Sequence, residues 1–156
     1  MNILVDEFWS RCRSAVPDLP EQTPEAWAFG ATPEHADGLL ALVLDGTKTA
    51  TASSVWEYES SDESMPEAGL LNIILDGRGN PRAVLETVAV GVVPFDEVSA
   101  EHAFAEGEGD RSLAHWRAVH ERFWREHSDD PRGFAPQMPV LCERLRLVYS
   151  ERASER

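Results

Sequence analysis

Residues 76 to 81, Asp76-Gly77-Arg78-Gly79-Asn80-Pro81, form a dense turn signal between an apolar run at 70–75 and a longer β-rich run at 82–93. Glycine supplies the positive φ that tight turns need, Asp and Asn hydrogen-bond to nearby backbone, and Pro fixes φ. Two β-rich runs joined in this way predict an antiparallel hairpin.

The flanking segments supply helices and further strands. Ile3, Leu4, Phe8, Cys12 and Ala15, widened by Val5, Trp9 and Val16, recur at helical spacing and predict a helix over about 2–16, ended by Pro17 and Pro20. Thr32 as N-cap and Pro33 at the first helical position open a second helix, which stops at Gly46. Residues 48–58 read as a strand and 59–67 as an acidic loop. Residues 94–106 read as a helix with Ser99 as a possible N-cap, broken by Gly107 and Gly109. Leu113, Trp116, His120, Phe123 and His127 share one face of a further helix, and Val140 to Tyr149 alternates as a closing strand, with Leu141, Leu145, Leu147 and Tyr149 on one side. Residues 150–156 read as a frayed end. Antiparallel strands interrupted by helices predict an α+β fold, a small β-barrel or curled sheet with helices packed on its outside.

A length of 156 residues, 42% of them hydrophobic, predicts a single domain with one core. The first ten residues carry acidic groups and no basic cluster, so no signal peptide is expected, and no run approaches the roughly 18–20 apolar residues of a membrane span. A cytoplasmic protein with no membrane partner is the expectation. Cys12 and Cys142 match no paired metal-ligand spacing and predict two buried thiols rather than a metal site or disulfide. No cofactor is expected. The net charge of −14 opposes a long basic surface and hence extended duplex binding, and leaves room for a local cleft holding a nucleoside, nucleotide or short single strand.

Thirteen of the 14 basic residues are arginine, which singles out Lys48. It lies in Gly46-Thr47-Lys48-Thr49-Ala50-Thr51, where a helix hands over to a strand. Alternate strand residues share a face, so Thr49, Thr51 and Ser53 can present three hydroxyls to one side. A lysine at such a rim can meet a phosphate, or act as a base if desolvated; an exposed strand with a solvated lysine gives the same pattern. Trp56 and Tyr58 are candidates to stack on a base or to pack in the barrel. Arg111 is a candidate phosphate contact or a partner for Glu106, Glu108 or Asp110. His120 shares an apolar helix face and reads first as structural, and His102 and His115 lack a metal-ligand partner at a convincing spacing. Nucleophile-elbow, P-loop and His-Glu-x-x-His patterns are absent.

The words Phe29-Gly30, Lys48-Thr49-Ala50-Thr51-Ala52-Ser53, Val93-Pro94-Phe95-Asp96-Glu97-Val98, Glu106-Gly107-Glu108-Gly109-Asp110 and Cys142-Glu143-Arg144 occur in the order seen in larger bacterial ASCH proteins. Over about residues 27–149 the chain resembles the ASCH branch of the PUA-like superfamily. That resemblance implies a PUA-like β-barrel, a fold associated with RNA, and a cleft beside the lysine-bearing strand. It implies either ribonuclease activity, known in a branch that this chain resembles more closely, or amidohydrolase activity on an acylated nucleoside such as acetylcytidine. The amidohydrolase branch's catalytic lysine, threonine and glutamate fall on Lys48, Thr51 and Glu106, with Glu108 and Asp110 as rivals for the acid. Ser53 stands where that branch often has an arginine. The implied partner is RNA or a modified nucleoside. Lys48 as base, Lys48 as electrostatic clamp, and a non-catalytic RNA-binding module all remain open at this level.

Overall fold

The computed structural model describes residues 2–152. Five strands form one sheet: β1 (Ala26–Trp27), β2 (Ala50–Ser54), β3 (Leu71–Leu75), β4 (Pro81–Pro94) and β5 (Pro139–Ser150), in the order β1-β3-β4-β5-β2. The predicted hairpin is β3–β4, with Asp76 at its turn: Oδ1 accepts from the backbone N–H of Arg78 and Asn80. Only β1 and β3 pair in parallel. The α+β class and the mostly antiparallel sheet agree with the sequence reading. The ladder, however, runs from β1 to β2 without closing, so the sheet is curled rather than a sealed barrel.

Two bulges in the β4–β5 ladder shape the curl, beside a further register shift at Ile74/Leu75 in β3–β4. The β4–β5 register shifts at Val84/Leu85 and again at Thr87/Ala89, and extra residues of this kind bend a strand and increase its twist. The first half of β4 therefore pairs with β3, while β2 is served by the first half of β5. The same shifts break the predicted one-sided row on β5, where Leu141 is buried and Leu147 is exposed.

Helices cover the sheet. α1 (Ile3–Ala15) is capped by Asn2, whose side chain accepts from Leu4 and Val5 N–H, and it packs Val5, Phe8, Trp9 and Cys12 against Ile73 and Val84. The buried stripe thus follows the i, i+3, i+4, i+7 spacing from Val5, and Ile3 and Leu4 point to solvent. α2 (Pro33–Leu44), capped by Thr32 through His35 N–H, packs Leu39, Leu40 and Val43 against Ile74, Ala83 and Leu85. Ile73 and Ile74 thus face different helices, which is why the second half of β3 reads as consecutive apolar residues instead of an alternation. A third cluster joins Phe95, Met138 and Val140 to α4 (Ala100–Glu106) and α5 (Leu113–His127).

Several boundaries depart from the sequence reading. The strand predicted to run to residue 58 ends at Ser54, and residues 55–60 turn into a short helix, α3 (Val55–Ser60). Its partner explains this: Ser54 pairs with Val140, and β5 begins one residue earlier at Pro139, which has no N–H to extend the ladder. The helix predicted from residue 94 starts at Ala100, because Pro94 is still in β4 and Phe95–Glu97 forms a 3₁₀ turn that sinks Phe95 into the core. The C-terminal segment read as frayed is anchored at its start. Ser150 belongs to β5, and Glu151 takes a two-pronged ion pair from Arg11 and a hydrogen bond from the Tyr149 hydroxyl. Residues 153–156 of that segment lie outside the described residues. Cys12 is buried and Cys142 half-buried, both free, with burial pushing their thiols up to about 12 and 11. No helix among the described residues is long and apolar enough to cross a membrane.

Candidate functional site

Lys48 is held in place by two helix ends. After α2, Gly46 at φ +85° turns the chain, and the backbone N–H groups of Thr47 and Lys48 both reach the Leu42 carbonyl at 3.0 Å. One residue on, the Thr49 N–H donates to Ala105 O of α4 at 2.8 Å. α4 ends with Glu106, and Gly107 sits in the left-handed region at φ +75°. A Cβ on Gly107 would lie 2.6 Å from the Thr47 carbonyl, so the chain on either side of the pair can approach only because this residue is glycine. Gly107→Ala is expected to destabilise the protein by more than about 1 kcal/mol, read as a lower urea midpoint, since it adds backbone strain to a clash.

The side chains meet in the interior. Lys48 Nζ donates to Glu108 Oε2 at 3.0 Å and to the Glu106 carbonyl at 3.4 Å, and lies 3.7 Å from Glu106 Oε1. It also sits 5.5 Å above the Phe29 ring centre. Lys48 is 3% exposed and Glu106 1%, so this ion pair is desolvated. Glu106 collects four further or shared partners. Its Oε2 accepts from His102 Nε2 at 2.6 Å and from the Trp116 indole N–H at 2.5 Å, and its Oε1 faces His120 Nε2 at 3.3 Å as well as Lys48. Burial by itself would raise this carboxyl, but the hydrogen bonds from His102 and His120 and the charge of Lys48 outweigh it and hold Glu106 well below the usual carboxylate range. An ionised carboxylate with one oxygen taken by two donors has no proton to give.

His120 has its ring orientation set by the fold. Nδ1 lies 2.8 Å from the Trp116 carbonyl, which can only accept, so Nδ1 carries a proton and Nε2 is the nitrogen turned to the carboxylates. The ring stacks on Trp116 at 4.2 Å. Glu106, Glu108 and His120 each bring one ligand atom within 4.8 Å of the others, a spacing a metal ion could use. The Lys48 ammonium already stands against both carboxylates of that set, so a cation there would have to displace it.

These groups open onto a cleft of about 890 Å³. Of the sequence candidates, Lys48, Thr51, Ser53, Tyr58, Glu106 and Glu108 line it. Four do not. Thr49 precedes β2 and turns its hydroxyl to Ala105 O at 3.4 Å, which breaks the predicted row of three hydroxyls. Trp56, carried off the strand by α3, packs on the Phe95 cluster under the Arg132 guanidinium. Asp110 is spent on the Ser112 N–H at 2.8 Å. Arg111 lies over the Phe104 ring at 3.5 Å and donates to the Phe104 and Thr47 carbonyls.

The cleft also contains residues the sequence reading passed over. Trp27, Phe29 and Phe123 give it aromatic walls, and Asn72 lies beside Trp27, accepting its indole N–H at 2.9 Å. Glu143 stands opposite Thr51 across the β2–β5 ladder and is 6% exposed. Its place in the word Cys142-Glu143-Arg144 on the closing strand was the visible signal for it. Six glutamates, namely Glu25, Glu63, Glu67, Glu106, Glu108 and Glu143, line the cleft against one lysine. Such a lining repels anions and suits neutral or cationic ligands.

A family model described as the ASCH domain matches residues 25–149. Two crystal structures are similar over nearly the whole length. A protein from Enterococcus faecalis is 35% identical, with a TM-score of 0.85, over 94% of this chain and 89% of that one. The ASCH domain from Lactobacillus crispatus is 28% identical, with a TM-score of 0.84, over 96% of each chain. No curated protein matches the chain.

Proposed function

The chain belongs to the ASCH domain family, and on that premise we propose that its cleft holds a nucleoside, free or as the flipped-out unit of an RNA, and hydrolyses an acyl amide on it. The observation that carries this reading is the desolvated Lys48 at the floor of a cleft that also presents the Thr51 hydroxyl and aromatic walls. The acidic lining favours an uncharged nucleoside over a phosphodiester, and therefore amide hydrolysis over ribonuclease action.

In this reading the base stacks between the aromatic walls. The Lys48 ammonium, fixed by Glu106 and Glu108, faces the oxygen on which charge develops when the acyl carbon turns tetrahedral. Thr51 is the candidate nucleophile, or the group that orients the attacking water. Glu106 holds the ammonium in place; Glu108, half-buried and bonded to Lys48, is the carboxylate that takes the proton of the attacking hydroxyl or water and passes it to the leaving amine.

Incubation with acylated nucleosides and with short single-stranded RNA, read by mass spectrometry, tests this. Free acid and deacylated nucleoside are the expected products. Cleaved RNA with intact acyl nucleosides would replace the reading by a ribonuclease one, and recovery of every ligand unchanged would leave a binding module.

A further inference from the structure

Glu106 and Glu143 are the two buried carboxylates of the cleft, and they are treated in opposite ways. Glu106 is surrounded by donors. Glu143 has one hydrogen bond among the described residues, from the Thr87 hydroxyl to Oε2 at 3.1 Å, and no cation within ion-pair distance. Burial pushes its carboxyl up, with the Thr87 bond pulling the other way. Its Oε1 has no protein donor and, on a side chain that is 6% exposed and lines the cleft, it is open to what the cleft holds. Buried acceptors are normally satisfied, and one left open inside a cleft is answered by what enters it.

The surroundings limit what that is. An anion would meet the six lining glutamates. Trp27, Phe29 and Phe123 offer aromatic surface for a flat ring to lie against, and Oε2 is already taken by Thr87, so one free oxygen remains to read one donor. Thr51, paired with Glu143 across the ladder, puts this oxygen on the same face as the hydroxyl of the reaction site.

We propose that Glu143 is the specificity residue of the cleft, its Oε1 accepting a hydrogen bond from the exocyclic N–H of a nitrogen heterocycle. A ring with an oxo group at that position would set a carbonyl lone pair against the carboxylate. The selection therefore favours amino- over oxo-substituted bases. It rests on the nucleoside reading given above and adds the edge that is read.

Calorimetric titration of wild-type protein with cytidine against uridine, and adenosine against inosine, tests it without relying on turnover. The amino member of at least one pair is expected to bind at least tenfold more tightly, about 1.4 kcal/mol. In Glu143→Gln, Thr87 can hold the amide oxygen and leave the NH₂ facing the cleft, so the preference is expected to vanish or reverse. Equal binding within both pairs by the wild type overturns the proposal and leaves the nucleoside reading standing, and so does an unchanged ratio in the variant. Binding of none of the four by the wild type overturns both. If Glu143→Gln does not fold, the wild-type ratios decide.

Discussion

Replacing Lys48 with alanine is expected to reduce turnover at least about 100-fold, the usual scale for losing one preorganised charge or one acid–base group. Lys48 is the one lysine in the chain, and the other cationic groups near it serve elsewhere: Arg111 is bound to two backbone carbonyls outside the cleft. Steady-state kinetics on the acyl nucleoside found active in the product screen measures this, and a variant with wild-type kcat would sink the mechanism. Lys48→Arg separates the roles. A guanidinium keeps the charge and cannot act as a base, so an electrostatic clamp leaves measurable activity in this variant, whereas a base role leaves none. The packing against ionised Glu106 and against Glu108 favours the clamp.

Glu106→Ala is expected to give the largest loss of stability of any cleft substitution, about 3–5 kcal/mol, as found when one member of a buried charge pair is removed. Lys48, His102, His120 and the Trp116 indole all lose the acceptor they share. For a chain of this length that corresponds to roughly 6–20 °C in Tm. The pH dependence has a definite sign. Because the folded carboxyl titrates below its unfolded value of about 4.3, its contribution is complete above that pH and is lost as pH falls towards the folded value. The difference between wild type and Glu106→Gln in urea unfolding is therefore expected to be full at pH 6 and to shrink below about pH 4. A difference that grows as pH falls would contradict an ionised Glu106.

The elements read most directly from sequence were those with local causes. Thr32 with Pro33, Ser99 with His102 N–H and the Asp76 turn each act within a few residues, and each appears where its chemistry places it. The two-residue strand β1 left no such trace, because it is a strand only by pairing with β3, 47 residues away. Trp56 and Tyr58 were read on one strand, yet the start of β5 at Pro139 ends that strand at Ser54 and sends Trp56 to the core and Tyr58 to the cleft. His120 was read first as structural, and its Nδ1 closes a helical hydrogen bond while its Nε2 faces Glu106, a placement set by α4 and not by its own helix face.

The α+β class, the hairpin, the caps at Thr32 and Ser99 and the candidacy of Lys48, Thr51 and Glu106 could be read along the chain, since propensity, capping and motif order act over short distances. Which carboxylates face the lysine, the turning away of Asp110 and Arg111, and the open position of Glu143 in the cleft came from the folded arrangement alone. Those facts depend on the approach of Gly107 to Thr47 and on the register of β2 against β5, contacts between segments far apart in sequence that no local pattern encodes.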